Sequence, residues 1–290
     1  MFKLVKLSVV VPEEGKSLVS DFLLGLDAFS VAEDPLDNGK VEVSGYFSQV
    51  IDINHVMEKL EDYVGFLDSI MQGISIDNMN VEEFDKSSWD LWKTKLEKVK
   101  VSDRIIIRPP WEKYRPTGLE IVVEINPSLA FGTGHHESTR LCIKLIERLL
   151  EDADSKSVLD AGCGSGILSI VAAKLGARRV VAFDIDEIAV RETKKNLKIN
   201  SISDNVNLVC GYIESIKGKY DLVVANISVE ELLNMRDELK SRLSEEGLLI
   251  FSGIPFSRRD EVLIGMETSS LILREEFRDG DWIALVFGVD

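Results

Sequence analysis

Three glycines at spacing two, Gly162, Gly164 and Gly166, stand between two carboxylates, Asp160 before them and Asp184 after. Glycine lets backbone approach a ligand closely and take positive φ without strain. A carboxylate ending the next strand can accept hydrogen bonds from ribose hydroxyls in a doubly wound sheet. Asp184 comes 22 residues after Gly162. The chemistry on offer is therefore the binding of a ribose-bearing ligand, with adenosine the natural candidate. The dinucleotide fingerprint is G-x-G-x-x-G; here the sixth position is Ile167 and the third glycine comes one residue early. That departure points away from a redox dinucleotide. The competing reading is a tight strand-to-helix turn with no ligand, and an acid at each strand end argues against it.

The elements that must hold these residues lie on either side. Val158-Leu159 begins an apolar run that stops at Asp160. Apolar positions from Ile167 to Leu175 recur with helical period, and Gly176 fits just past the helix end. Val180 to Phe183 is a second apolar run, ending on Asp184. Downstream, Asp186 is placed to cap a helix to about Asn200, Val206–Val209 reads as a third strand, and Tyr220–Ile227 as a fourth with Asn226 at its carboxyl end. Ser228-x-x-Glu231 is a capping box for a helix that Gly247 is expected to terminate. Leu248–Phe251 is a fifth strand and Phe256–Met266 a helix. Leu271–Phe277 and Trp282–Phe287 flank Asp279-Gly280, a hairpin signal. The expected fold class is α/β: a Rossmann-like, mostly parallel sheet closed by an antiparallel C-terminal hairpin.

The first part of the chain reads differently. Residues 2–11 suit a strand, and Pro12-Glu-Glu opens a helix to about Gly25. Phe29–Ala32 and Val41–Phe47 read as strands. Asp52 is a helix cap, with Ile53, Val56, Leu60, Val64 and Leu67 on one face, and Ile74-Ser-Ile76 is the expected closing strand. The order β-α-β-β-α-β is ferredoxin-like. It carries no catalytic constellation; His55 reads as an exposed helix residue, and the module as one that binds a partner. A charged stretch with Trp89 and Trp92 reads as a connector helix. Arg104–Trp111 is a strand stopped by prolines, and Glu120–Ile125 a second strand. The expected division is a small α+β domain over residues 1–78, a linker over 79–103 and a ligand-binding domain over 104–290.

Length and charge bound the function. A chain of 290 residues accommodates about two domains. Its net charge of −16 argues against direct nucleic-acid binding, because such affinity comes largely from neutralising phosphates. The same charge suits a basic protein partner, although solubility alone would also account for it. Cys142, Cys163 and Cys210 form neither metal spacing nor an even framework. Cys163, inside the glycine turn, reads as a small neutral filler. Lys3 and Lys6 precede a run too short for a signal sequence, and no apolar stretch reaches membrane length. A cytoplasmic protein with no membrane partner is expected.

Asn126–Thr139 precedes the first strand of the large sheet and is shaped by Pro127, Gly132 and Gly134. Such a loop can fold over the ligand mouth, and an amphipathic helix follows it from Thr139 to Leu150. His135-His136 suggests a metal, but adjacent side chains diverge and no third ligand stands at a fitting spacing, so none is expected.

With these motifs placed, a resemblance emerges. The G-x-G-x-G turn preceded by Asp160 resembles the first motif of class I S-adenosylmethionine-dependent methyltransferases. Together with Asn126–Thr139, Asp184-Ile-Asp186 and Val224-Ala-Asn-Ile227, the chain resembles bacterial ribosomal protein L11 methyltransferases over nearly its whole length. The segment Ala130-Phe131-Gly132-Thr133-Gly134 is the most specific element. The resemblance implies S-adenosyl-L-methionine as cofactor and methyl transfer to lysine side chains and the N-terminal amine of ribosomal protein L11. It implies cofactor contacts at Phe131, Thr133, Thr139, Gly162, Gly164, Gly166, Asp184 and Asn226, with Asn226 also the residue that holds the amine. It further implies that the N-terminal domain recognises the substrate. Ser138 stands where many members carry threonine, and Glu137 where many carry proline. An RNA or glutamine-amide methyltransferase on the same fold is the alternative. Those enzymes often follow the fourth strand with Asn-Pro-Pro-aromatic, whereas this chain has Asn226-Ile-Ser-Val. A non-enzymatic binding module is the further rival, opposed by the filling of every expected cofactor position.

Overall fold

Leu7, Val9 and Val11 enter a hydrophobic core while the residues between them face the other way, the two-residue period of a half-buried strand. They belong to β1 (Leu4–Pro12). In the computed structural model, residues 4–26, 28, 30–36, 39–48, 51–84, 97–127, 132, 134–150 and 155–289 are described. The chain divides into two units, Met1–Leu96 and Glu97–Asp290.

In the first unit β1 is followed by α1 (Lys16–Gly25), β2 (Ser30–Pro35), β3 (Lys40–Ser48), α2 (Ile53–Met71) and β4 (Asn78–Phe84). The sheet order is β2-β3-β1-β4 with antiparallel pairing throughout, the ferredoxin-like arrangement expected. Asp52 caps α2 by accepting from the Asn54 and His55 amides, and Val56, Leu60, Val64 and Leu67 form its buried face. The expected closing strand at Ile74–Ile76 is absent. The fourth strand lies at Asn78–Phe84, pairing Val81 with Leu7. A boundary at residue 78 would therefore cut this strand off from β1, and the unit extends to Leu96. Trp89 and Trp92 lie outside the described residues.

The second unit opens with β5 (Val99–Lys100), β6 (Ile105–Arg108) and β7 (Ile121–Glu124), a small sheet of its own. Then come α3 (Glu137–Leu149), β8 (Ser157–Ala161), α4 (Ile167–Lys174), β9 (Arg179–Asp184), α5 (Glu187–Ile199), β10 (Val206–Cys210) and β11 (Tyr220–Asn226). The chain ends with α6 (Val229–Ser241), β12 (Leu243–Pro255), α7 (Arg259–Glu267), β13 (Ile272–Asp279) and β14 (Trp282–Gly288). The large sheet has the order β10-β9-β8-β11-β12-β14-β13. Its first five strands pair in parallel, while β14 runs antiparallel to both β12 and β13.

Both faces of this sheet are covered. Val158, Val180, Val224, Ile250 and Val286 pack with Leu141, Leu145 and Ile146 of α3 and Ile170 and Val171 of α4. Their neighbours Leu159, Val181, Val223, Leu249 and Leu285 pack on the other side with Leu232 and Leu239 of α6 and Met266 of α7. Continuous Val/Leu/Ile runs are what a parallel strand buried on both faces requires. One helix end differs from expectation. α6 stops at Ser241, and Gly247 lies inside β12. A Cβ there would sit 2.9 Å from both Ser244 N and Tyr220 O, where the β11–β12 register shifts. The glycine answers a close backbone approach rather than a helix terminus.

Candidate functional site

The order of strands reverses between β8 and β11, and in open α/β sheets ligands bind at the carboxyl ends of the strands at such a point. The glycine turn follows β8 directly. Gly162, Gly164 and Gly166 have φ of 70°, 53° and 81°. The amides of Gly162 and Cys163 donate to Phe183 O at 3.0 Å, clamping the turn to β9. A side chain on Gly162 would collide with Ile227 after β11, and one on Gly166 with Thr193 of α5. The turn is thus a backbone-lined cradle.

Asp184 ends β9 beside this cradle. Its Oδ2 accepts the Gly164 N–H at 2.9 Å and its Oδ1 the Asp186 N–H at 3.0 Å. Burial raises its pKa, opposed by these two amides. Each carboxylate oxygen has further acceptor capacity. Cys210 at the end of β10 faces Asp184, and just past these two strand ends the side chains of Ile185, Ile188 and Tyr212 are exposed. The sequence reading did not single them out, although apolar residues directly after a strand-end acid were the available signal.

Asp160 is fully enclosed at the end of β8. Its Oδ2 accepts both the backbone N–H and the hydroxyl of Ser169, at 3.0 and 2.6 Å, while Oδ1 has no hydrogen-bond partner among the described residues. Burial raises its pKa to about 6, against the lowering effect of Ser169.

Asn226, at the end of β11, donates from Nδ2 to Thr139 Oγ1 at 3.4 Å, and its buried Oδ1 is likewise without a partner among the described residues. Thr139 lies in the first turn of α3, not on the preceding loop, and is fully buried. Gly253, opposite in β12, has φ of 79°; a Cβ there would lie 2.5 Å from Ile227 O and 3.2 Å from Asn226 Oδ1. This bare backbone keeps room beside the amide oxygen.

Several supporting residues escaped the sequence reading. Ser165 Oγ donates to Gly132 O at 2.6 Å, tying the loop to the glycine turn. Thr193 donates to Gly164 O at 2.8 Å and Asn196 to Ser165 O at 2.9 Å, so α5 braces the turn from behind. Cys163 is buried and its thiol pushed well above its ordinary pKa, chiefly by burial, which keeps it a neutral filler. The two histidines separate: His135 Nε2 meets Glu97 O at 3.1 Å, while His136 caps α3. Among the described residues no cluster of three His, Cys, Asp or Glu could hold a metal ion. Phe131 and Thr133 lie outside the described residues.

Comparison with known proteins gives a consistent result. The family described as "Ribosomal protein L11 methyltransferase (PrmA)" matches residues 5–289. A ribosomal protein L11 methyltransferase of Clostridium perfringens is 35% identical over 307 residues, covering 97% of each chain. One of Pelobacter propionicus is 37% identical over 268 residues, 91% of this chain and 86% of that one. A crystal structure of a ribosomal protein L11 methylase from Lactobacillus delbrueckii subsp. bulgaricus has a TM-score of 0.63 and 34% identity, covering 67% of this chain and 100% of that chain.

Proposed function

The chain belongs to the ribosomal protein L11 methyltransferase family, and from that premise we propose that it transfers methyl groups from S-adenosylmethionine to lysine side chains and the N-terminal amine of ribosomal protein L11. The observation that carries the reading is the meeting, at the strand-order reversal, of the glycine turn and the Asn226–Ile227 strand end, with a buried oxygen that has no partner among the described residues on each flanking strand. Those oxygens, Asp160 Oδ1 and Asn226 Oδ1, are acceptors, and S-adenosylmethionine carries two cationic centres, an ammonium and a sulfonium. The residues therefore fit the cofactor. When bound, it supplies a methyl group made electrophilic by the sulfonium.

The protein's own groups do the holding. Gly162, Gly164 and Gly166 give backbone access to the amino-acid and ribose portion, and Asp184 accepts from the ribose hydroxyls. Ile185 and Tyr212 offer the adenine an apolar surface. Thr139 is assigned to the cofactor's methionine side, and Phe131 and Thr133 are assigned to the cofactor without a finer role. Asn226 Oδ1 accepts an N–H of the incoming amine and so directs the nitrogen lone pair; alignment of this kind is the main lever when the leaving group is already activated. A lysine amine begins near pKa 10.4 and attacks only after losing a proton, which a desolvated mouth favours. No residue is assigned as general base.

The unit Met1–Leu96 is assigned to substrate recognition. No described helix is long and apolar enough to cross a membrane. The ribosomal substrate supports a cytoplasmic location. Intact-mass spectrometry of ribosomal protein L11 incubated with enzyme and S-adenosylmethionine tests the reading. Additions of one methyl mass or multiples are expected on lysine or N-terminal peptides; methyl label found in RNA or on glutamine amides instead would refute it.

A further inference from the structure

His136 takes no part in the cofactor contacts assigned above, yet it stands at the entry to the helix that carries one of them. Its Nδ1 accepts the Ser138 backbone N–H at 3.3 Å as the N-cap of α3. A backbone N–H only donates, so Nδ1 carries no proton, and the Ser138 hydroxyl 2.8 Å away donates to the same nitrogen. The ring meets Trp282 of β14 edge-on, with centroids 4.4 Å apart and planes at 72°. From the other side, Ser252 Oγ donates to the Ser138 carbonyl at 3.2 Å. Ser138 is thereby held at its amide, hydroxyl and carbonyl, and the next residue is Thr139, which meets Asn226.

We infer that His136 is a positioning residue: capping α3 and braced by Trp282, it fixes the helix's first turn so that Thr139 is presented to Asn226 and the cofactor. Histidine is not a usual N-cap; Asn, Asp, Ser and Thr are preferred. The ring does what an Asn oxygen does at that place and adds an aromatic anchor to the antiparallel hairpin. Burial lowers its pKa to about 4, with Arg140 adding to the effect and Glu137 opposing it, so Nδ1 stays an acceptor near neutrality. Without the cap, the Ser138 amide loses its acceptor and the first turn frays, taking Thr139 with it.

This inference rests on the cofactor reading above, and the experiment separates the two. S-adenosylmethionine affinity is measured by calorimetry on the full chain for wild type, His136→Ala and His136→Asn, each with a thermal melt. Absence of binding by wild type refutes the cofactor reading and the positioning role with it. Given wild-type binding, His136→Ala is expected to weaken affinity about tenfold, and His136→Asn to recover it to within about threefold. Asp52→Ala, which removes the cap of α2 in the other unit, is expected to lower the melting temperature with affinity unchanged. Wild-type affinity in His136→Ala, or a loss above about threefold in His136→Asn, overturns the inference. Where His136→Ala does not melt cooperatively, His136→Asn decides by the same threshold.

Discussion

Asn226 Nδ2 donates to Thr139 Oγ1 at 3.4 Å, joining the end of β11 to the first turn of α3. The bond engages one of the amide's two N–H donors and leaves Oδ1, buried and partnerless among the described residues, for an N–H from outside. An acceptor fixed in advance, at a site where water is excluded, acts mainly on the reacting complex. Asn226→Ala is expected to lower kcat about a hundredfold, the scale of losing one such polar group. The change in cofactor affinity should be smaller. Steady-state kinetics with L11, beside calorimetry with S-adenosylmethionine, gives both quantities.

Asp184 is pinned by the amides of Gly164 and Asp186, so its carboxylate is oriented before any ligand arrives. Two hydroxyl bonds to an ionised acceptor are worth about 1.5–3 kcal/mol each. Asp184→Ala is expected to weaken S-adenosylmethionine binding by roughly a hundredfold or more on that scale. Unchanged affinity by calorimetry would remove the ribose role.

The strand–turn–helix–strand unit over 158–184 was legible because its signals are local: apolar runs, three glycines and a strand-end acid within one stretch. Asp184 is the strand-end acid of that stretch, whereas Thr139 and Asn226 were named only through the family resemblance, as parts of its motifs. The residues that brace them could not. Thr193, Asn196, Ser252 and Gly253 act on partners far along the chain, and nothing near them in sequence announces it. Gly247 was misread because a glycine that ends a helix and one that admits a neighbouring backbone look alike in sequence. β4 was misplaced because Asn78, Asn80, Glu82 and Glu83 make a polar edge strand, ordered by pairing with β1 rather than by its own apolar pattern.

Asp160 gives the site a pH signature. Its pKa stands near 6 when folded, raised by burial, against about 3.9 for an exposed aspartate. A raised carboxyl pKa means the folded state binds the extra proton, so this contribution to stability is full below about pH 4 and disappears as pH rises through about 6. A cation bound near Oδ1, which has no partner among the described residues, favours the ionised form. S-adenosylmethionine affinity should therefore rise between pH 5 and 7, with proton release on binding near pH 5 to 6. Calorimetry in buffers of different ionisation enthalpy measures the released proton, and Asp160→Asn should abolish it.

Gly253 leaves less tolerance than the turn glycines. The group a Cβ would strike on Gly162 is the Cγ2 methyl of the Ile227 side chain; on Gly253 it is the backbone carbonyl of Ile227 at 2.5 Å, which moves only with the main chain. Gly253→Ala is expected to cost about 2 kcal/mol, a fall of about 4–8 °C in melting temperature for a unit of this size. Because the displaced carbonyl adjoins Asn226, kcat should fall further than the melting temperature alone implies. A variant that melts lower but turns over normally would show that β12 yields without moving Asn226.

The unit Met1–Leu96 tests the division of labour. It has its own core, built on Leu7, Val9, Val43, Phe47, Leu60 and Val64, while the glycine turn, Asp184, Thr139 and Asn226 all lie in Glu97–Asp290. A cut at residue 78 would leave β4 without β1, exposing a strand that normally completes the first sheet, and would confuse lost recognition with aggregation. Removal of residues 1–96 avoids that. Chain 97–290 is expected to bind S-adenosylmethionine within a few-fold of the full protein and to lose methyl transfer to L11. Calorimetry and intact-mass spectrometry on the same preparation decide the matter: retained transfer would put substrate recognition in the second unit, and lost cofactor binding would mean that the cradle needs the first.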